Sequence, residues 1–560
     1  MKKNKSKGSA AVLLIMIGML CVCAGCSQQA EEADRDAETQ MNTLGLEPDL
    51  TYAVPASIPG ILVDQLGYLT NSKKVAIFRG ETLPTEFSVV NADTGEVVYT
   101  GIVEQDITNR GTSQGDFTEV TVEGNYYLTA DILGQSYSFE VGSGVYDALF
   151  QEACKKYYYN RCGSTLTEAY AEELAHNACH TRQAVLRENM AVSRDVSGGW
   201  HQDEAGSKYV ASGSMIAARL LLSYELYGDV FTDTMGIPES GNGVPDILDE
   251  VRYEVEWLLR MQDEESGGVY SGVTVYNENA QYNMPTAYVE EITPEATAAF
   301  SMIMAKFSYL YQDYDTEYAL TCLRASDRAW RYLDTNGLLE INQFQIQFAA
   351  STELYRATGY RTYRLAAEQF LNYYFGTYDI GEITDQTEND GTGNSTKNST
   401  GNMTTSSGNT ETGNVSMSQQ VFLGSVTYIS TKQTVNLELC SSIMKALMQD
   451  AEAVSEASRQ SPYLAAGNDE QDNNDELLRN MTCLTVVDHI ITNHEYETVI
   501  ENYLHYFSGR NAQALSYLDH VGTRNYKEHS EVMGIMNQFD SNSQLILMIG
   551  EIINDERSDE

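Results

Sequence analysis

Four side chains have the chemistry to share one metal ion: Cys162, Cys179, His180 and His201. Two thiolates and two imidazoles suit tetrahedral Zn²⁺, in a structural role when the protein supplies all four ligands. Their spacing is long and unlike a zinc finger. On spacing alone, a pair of buried cysteines accounts for the thiols more simply. His201 lies in the stretch 195–210, which reads DVSGGWHQDEAGSKYV and places two acids, Asp203 and Glu204, side by side. Adjacent carboxylates can move protons in general acid–base chemistry. Read alone, they are also what a solvated loop carries.

Two kinds of element must position these residues. Residues 61–141 read as short strands separated by turns. Residues 87–90 and 97–99 flank Asn91-Ala92-Asp93-Thr94-Gly95, a hairpin signal, and residues 126–129 and 137–141 follow. This predicts a β-sandwich of roughly a hundred residues. From Gly142 the period becomes helical. The clearest run is 245–261, with Ile247, Leu248, Val251, Val255, Leu258 and Leu259 on one face and Asp249, Glu250, Arg252 and Glu254 elsewhere. Further helical runs are expected at 146–159, 295–311, 316–333, 344–358, 363–374, 436–449, 475–491 and 496–508. With no convincing strands among them, this part reads as an all-α domain of paired helices. Periodicity alone does not choose between a toroid and a solenoid.

Several segments together resemble glycoside hydrolase family 9, the cellulase family. Its active-site loop reads roughly GGWHDAGDxGKYV, and Gly198, Gly199, Trp200, Lys208, Tyr209 and Val210 match it without a gap. Residues 237–250 (IPESGNGVPDILDE), Ser266-Gly267-Gly268-Val269-Tyr270, residues 294–300, Ser461-Pro462-Tyr463 and Ser508-Gly509-Arg510-Asn511 continue the resemblance. The opening ILVDQLGY at 61–68 is similar to the first strand of the immunoglobulin-like domain that precedes many catalytic domains of this family. The resemblance implies an Ig-like β-sandwich over 59–142 and an all-α (α/α)6 barrel over 143–555. It also implies a structural zinc on Cys162, Cys179, His180 and His201, and calcium with no ligands assigned.

The activity implied is inverting hydrolysis of β-1,4-glucan, either cellulose or mixed-linkage glucan. Such an enzyme needs one carboxylate to activate water and one carboxylic acid to protonate the leaving oxygen. Ungapped, the family's two loop aspartates fall on Gln202 and Ala205, with Asp203 and Glu204 between them as substitutes. The family's acid, a Glu near the C-terminus, falls on Met536 or on Gln538, depending on how 537–543 is matched. Glu531 is the nearest Glu. Arg524 and His529 are what remains of a sugar-binding motif. Trp200 is the tryptophan expected at the cleft, whereas Trp257 and Trp330 lie in helical runs and read as core. A catalytically inactive relative that binds carbohydrate, or serves a structural role in the envelope, is the alternative reading.

Composition sets the surroundings. The chain has 560 residues, is 42% hydrophobic and carries a formal net charge of −45, which repels nucleic acid and excludes it as a partner. Lys2, Lys3, Lys5 and Lys7, an apolar run at 10–22 and Cys23-Ala24-Gly25-Cys26 read as a lipoprotein signal peptide over 1–26, with Cys26 lipidated. The protein is therefore expected at a bacterial cell surface, tethered to the membrane through that lipid alone, or else secreted free. Residues 27–58 read as a polar linker. Residues 381–418, rich in Gly, Asn, Ser and Thr, read as a low-complexity insertion.

Overall fold

The structure is a computed structural model. It describes residues 51–559 apart from 105–110, 277–286, 337–340, 378–416, 467–473, 492 and 530–531. The expected signal peptide, Cys26, nearly all of the linker and residues 381–416 of the expected insertion lie outside the described residues.

Nine short strands form the N-terminal layer: β1 (Ile61–Leu62), β2 (Gly67–Tyr68), β3 (Val75–Phe78), β4 (Glu86–Asn91), β5 (Val97–Glu104), β6 (Ser113–Asp116), β7 (Gly124–Ala130), β8 (Gly134–Gln135) and β9 (Phe139–Val141). Their order is β1-β3-β6-β5-β4-β7-β9-β2, with β8 beside β7. The long β5 belongs to both layers: its first residues pair with β4 and its last two with β6. The predicted hairpin is present as β4–β5, where the Asn91 side chain caps the turn through the N–H groups of Asp93 and Thr94. Tyr68, Phe117 and Phe139 pack edge-on in the interior.

The sandwich sits on the helical domain through buried polar bonds. His505 Nδ1 and Asp64 Oδ2 are 2.8 Å apart, and both side chains are shut off from water. Arg510 donates to the Val75 carbonyl, and the Gln65 N–H donates to the Ser508 carbonyl.

Twelve helices of eleven residues or more follow among the described residues: α1 (Asp147–Tyr159), α2 (Val210–Leu226), α3 (Asp246–Arg260), α4 (Pro294–Tyr311), α5 (Thr316–Asn336), α6 (Ile341–Thr358), α7 (Arg361–Thr377), α8 (Gln419–Ser430), α9 (Leu437–Gln460), α10 (Asn474–Ile490), α11 (Glu497–Phe507) and α12 (Phe539–Asp559). Packing runs from α10 to α12 to α2 to α4 to α6 to α8, while α1, α3, α5, α7 and α9 pair with members of that series. A buried ionic group pins four of them together. Lys306 on α4 and Arg356 on α6 both hold Glu225 on α2, and Glu353 on α6 bonds Arg356 and the Thr427 hydroxyl on α8. Each buried charge is thereby paired, as burial demands. Thr293 caps α4 through the Ala296 N–H, with Pro294 at the first helical position.

The structure corrects the helical reading in three places. α2, α8 and α12 were not singled out in the sequence. α9 continues to Gln460 instead of ending at 449. The helical part also contains a five-stranded sheet, ordered β11 (Ser193–Arg194), β10 (Ala184–Leu186), β14 (Ala287–Val289), β13 (Gly272–Val275) and β12 (Lys208–Tyr209). Strands of two to four residues are too short for alternation to show in a sequence.

Candidate active site

The stretch 195–210 is held from beneath by α3. Glu254 Oε2 accepts the Trp200 backbone N–H at 2.8 Å, and Glu250 Oε1 accepts the indole N–H at 2.7 Å. Arg161 neutralises Glu250 and reaches Glu239 with its other nitrogens. Gly199, at φ +73°, passes so close to Trp257 that a Cβ there would lie 2.7 Å from its ring. Lys208 Nζ donates to the carbonyls of Val196 and Gly198, closing the loop from its other end. Glu250 and Glu254 were placed off the apolar face of their helix and are nevertheless fully buried. Their i, i+4 spacing beside Trp257, in a helix that packs on a loop, is the sequence signal that could have found them.

Trp200 is therefore not a sugar platform. It is fully buried, and its ring packs 4.9 Å from that of Tyr157 on α1. Both of its N–H groups go to buried acids, so the side chain belongs to the floor of the loop. Trp257 and Trp330 are core residues, as expected.

Above this floor the carboxylates divide. Asp203 is exposed and folded over its own turn, with Oδ1 accepting the Ser207 N–H at 2.8 Å and Oδ2 the Tyr209 hydroxyl at 3.3 Å. Its limited desolvation would raise its pKa. The Ser207 and Tyr209 donors outweigh that and hold it below the ordinary aspartate value, so Asp203 is ionised at neutral pH. Glu204 is exposed beside it. Gln202 turns inward: its amide donates to the Tyr209 carbonyl at 3.0 Å, and its buried Oε1 has no partner. Ala205 lies in the tight turn that Asp203 caps.

The C-terminal residues meet the same floor. Phe539, at the start of α12, packs 5.4 Å from Tyr157, whose hydroxyl donates to the Phe539 carbonyl. Met536 is fully buried and apolar, so it supplies no proton. Gln538 is half-buried, and its carbonyl accepts the Asn542 N–H. Glu531 lies outside the described residues. Arg524 is committed elsewhere: its Nε donates to the Gln513 carbonyl and its N–H to Gln65 of the sandwich. The backbone N–H of Arg524 thus joins the two domains, and its half-exposed guanidinium stays on the helical side. His529 is half-buried, with Nε2 unpartnered.

The four expected metal ligands converge. One donor atom from each of Cys162, Cys179, His180 and His201 lies within 4.8 Å of the others. Cys179 Sγ is 3.5 Å from His201 Nε2 and accepts the Gly163 N–H at 3.5 Å. The His180 and His201 rings stand edge to face at 5.1 Å. His180 adopts φ +47° to reach the group, and the His201 N–H is fixed on the Asn160 carbonyl. A hydrogen bond between the thiols lowers the pKa of Cys179 and raises that of Cys162. The donor set and its convergence fit a tetrahedral Zn²⁺.

The sequence matches Glycosyl hydrolase family 9 over residues 146–544 and the Cellulase N-terminal ig-like domain over residues 56–135. It is 28% identical to a cellodextrinase of Butyrivibrio fibrisolvens across 83% of this chain and 86% of that protein. It is 30% identical to endoglucanase D of Acetivibrio thermocellus across 53% of this chain and 48% of that one. In structure it is similar to a metagenome-derived glycoside hydrolase family 9 endoglucanase, with TM-score 0.74 and 23% identity over 88% of this chain and 99% of the other.

Proposed function

The chain belongs to glycosyl hydrolase family 9, and from that premise we propose that it hydrolyses β-1,4-glucan, cellulose or mixed-linkage, with inversion, using Asp203 as the base. The observation that carries this is the state of Asp203: solvent-facing, ionised and oriented by Ser207 and Tyr209 above a floor fixed by Glu250 and Glu254. An ionised carboxylate so placed can take a proton from an attacking water. Glu204 is the neighbouring carboxylate available to share that role, and Glu531 is the Glu assigned as proton donor. The helices close, in this reading, into an (α/α)6 barrel, with the loop at one mouth.

Zinc on Cys162, Cys179, His180 and His201 completes the proposal. It cross-links the segment before the loop to the loop itself, a structural and not a chemical contribution. Surface anchoring through Cys26 would bring the loop to an insoluble polymer. It is supported by the basic start, the apolar run and the Cys23-Ala24-Gly25-Cys26 ending.

A second reading, glucan binding without turnover, is favoured by two observations. Gln202, matched to a family aspartate, offers an amide in place of a carboxylate, while Met536 is sealed in the core. Reducing-sugar release from mixed-linkage β-glucan and carboxymethylcellulose separates the two. The wild type is expected to release sugar, and an Asp203→Asn, Glu204→Gln variant to lose roughly 10²-fold or more of that rate. Equal traces from both proteins reject Asp203 as base and leave the binding reading.

A further inference from the structure

Two thiols face each other at the edge of the molecule. Cys162 Sγ and Cys179 Sγ lie within 4.8 Å of each other, and a hydrogen bond joins them. The Gly163 N–H, one residue past Cys162, also points at Cys179 Sγ. Cys162 is fully buried, and its N–H is fixed on the Gly199 carbonyl. Cys179 is half-buried, and residues 176–178 and 180–183 on either side of it are exposed. A small solute therefore reaches Cys179 from solvent, with Cys162 directly behind it. The other described cysteines are not paired in this way: Cys154, Cys322, Cys440 and Cys483 sit one each on α1, α5, α9 and α10.

The half-buried thiol belongs to an arm that covers the turn after Asp203. His180, next to Cys179, holds φ +47°, a left-handed conformation that a non-glycine residue keeps only where its surroundings impose it. Its ring rests on Gly206, where a Cβ would lie 2.5 Å from the imidazole Cε1. Convergence of the four donors on one ion supplies that restraint. The His201 backbone, in contrast, is fixed on Asn160 without any metal. Losing the metal group therefore releases the arm and leaves the floor of the loop in place.

We propose that Cys162 and Cys179 are a peroxide-sensitive pair that exchanges zinc ligation for a disulfide and so frees His180 from the turn at Gly206. The inference rests on the zinc reading above. The step balances with peroxide as the only oxidant. The Cys179 thiolate attacks one peroxide oxygen, the O–O bond breaks, hydroxide leaves and Cys179 becomes a sulfenic acid. The Cys162 thiolate then attacks that sulfur and displaces a second hydroxide as the S–S bond forms. Each sulfur gives up one electron, peroxide takes both, and two protons from solvent turn the hydroxides into water. His180 and His201 alone are too few ligands to hold the ion. At a cell surface, the location proposed above, no cytosolic thiol pool reverses the step.

The test treats the zinc-loaded full chain with a small excess of hydrogen peroxide and follows released zinc, free thiols and peptide masses together. Cleavage after Arg161 and Arg182 puts both cysteines on one tryptic peptide, residues 162–182. One zinc per chain should be released as two thiols disappear. That peptide should be about 2 Da lighter and should resist alkylation until reduced. Dithiothreitol with added zinc should restore the starting state. Limited digestion of the folded chain should cut after Arg182 roughly tenfold faster once it is oxidised. Cys179→Ser should give no lighter peptide, and the wild-type masses carry the test even if that variant does not fold. Zinc retained under peroxide, or lost with the peptide heavier by added oxygen, overturns the proposal and leaves the zinc reading standing. Unchanged cleavage after Arg182 overturns the release of His180. Purified chain that holds no zinc overturns the exchange and the zinc reading together.

Discussion

Glu254 reaches out of the helical core and takes the backbone N–H of Trp200 at 2.8 Å, so a fully buried carboxyl holds the floor of the loop that carries Asp203. Burial pushes Glu254 up to about 8, against the help of the Trp200 N–H and the Lys208 charge. A raised carboxyl pKa means that the folded state keeps a proton the unfolded chain gives up. The contribution is fully present below the unfolded value of about 4.5 and is lost as pH rises through 8. Between about pH 5 and 8 this group alone should therefore cost about 1.4 kcal/mol per pH unit. Denaturant unfolding at several pH values should show that slope in the wild type and a flatter one in Glu254→Gln, whose amide oxygen still accepts from Trp200. Glu254→Ala removes the acceptor and should lower stability by about 1–3 kcal/mol at pH 5 as well. Identical pH slopes in wild type and Glu254→Gln would show that Glu254 does not titrate in this range.

The domain junction carries a pH dependence of opposite sign. Burial depresses the pKa of His505, even though Asp64 favours the charged ring. A depressed histidine contributes stability that is present above the unfolded value of about 6.5 and lost as pH falls below it. Asp64 also accepts the N–H groups of Leu66 and Gly67, so Asp64→Ala strips acceptors from three donors at once. A loss of about 2–4 kcal/mol is expected. Limited proteolysis should then cut between sandwich and helices first. A variant with unchanged stability and cleavage pattern would assign the junction's strength to its apolar contacts.

The zinc reading predicts metal content directly. Elemental analysis of purified chain should return one zinc per chain, and Cys179→Ser should return far less, because a hydroxyl is a poor substitute for a thiolate. Losing the link between Cys162 and His201 should lower the melting temperature by about 5–10 °C. Zinc-free wild type with the same melting temperature as the variant would return Cys162 and Cys179 to the role of buried thiols.

Legibility followed the range of the signal. The sandwich and most helices were readable because strand alternation and the 3.6-residue stripe are local, as in α3, where five of the six predicted face residues are fully buried and Leu259 is half-buried. The metal group, whose ends Cys162 and His201 stand 39 positions apart, could be named only through the family resemblance, because spacing alone favours a pair of buried cysteines. The role of Trp200 was misread because a loop tryptophan beside a cleft and one beneath a loop have the same local sequence. Only Glu250 and Glu254, fifty or more positions away, decide between them. The bond from the Arg524 backbone N–H to Gln65 is out of reach of local sequence for the same reason, since Gln65 lies in the other domain.

Gln202 offers the most informative single change. Its Nε2 is held by the Tyr209 carbonyl, while its Oε1 is buried and unpartnered. A Cβ on Gly213 would lie 3.0 Å from that Nε2 and 2.2 Å from Glu254 Oε1, so Gln202 and Glu254 are near neighbours. Gln202→Asp restores a carboxylate where the family alignment expects one. Glu254 remains protonated near neutral pH, so the new charge does not face a second one there. The shorter side chain also gives up the Tyr209 bond and is free to turn toward solvent and Asp203. Two carboxylates would then share the attacking water, and glucan hydrolysis should rise roughly tenfold or more. The check is the initial rate of reducing-sugar release at pH 6–7, compared with wild type and with a Gln202→Asp, Asp203→Asn double variant. A rise abolished by the second substitution places both side chains on the same water. A rate unchanged from wild type would put the limit at the proton donor instead, and Glu531→Gln becomes the decisive variant.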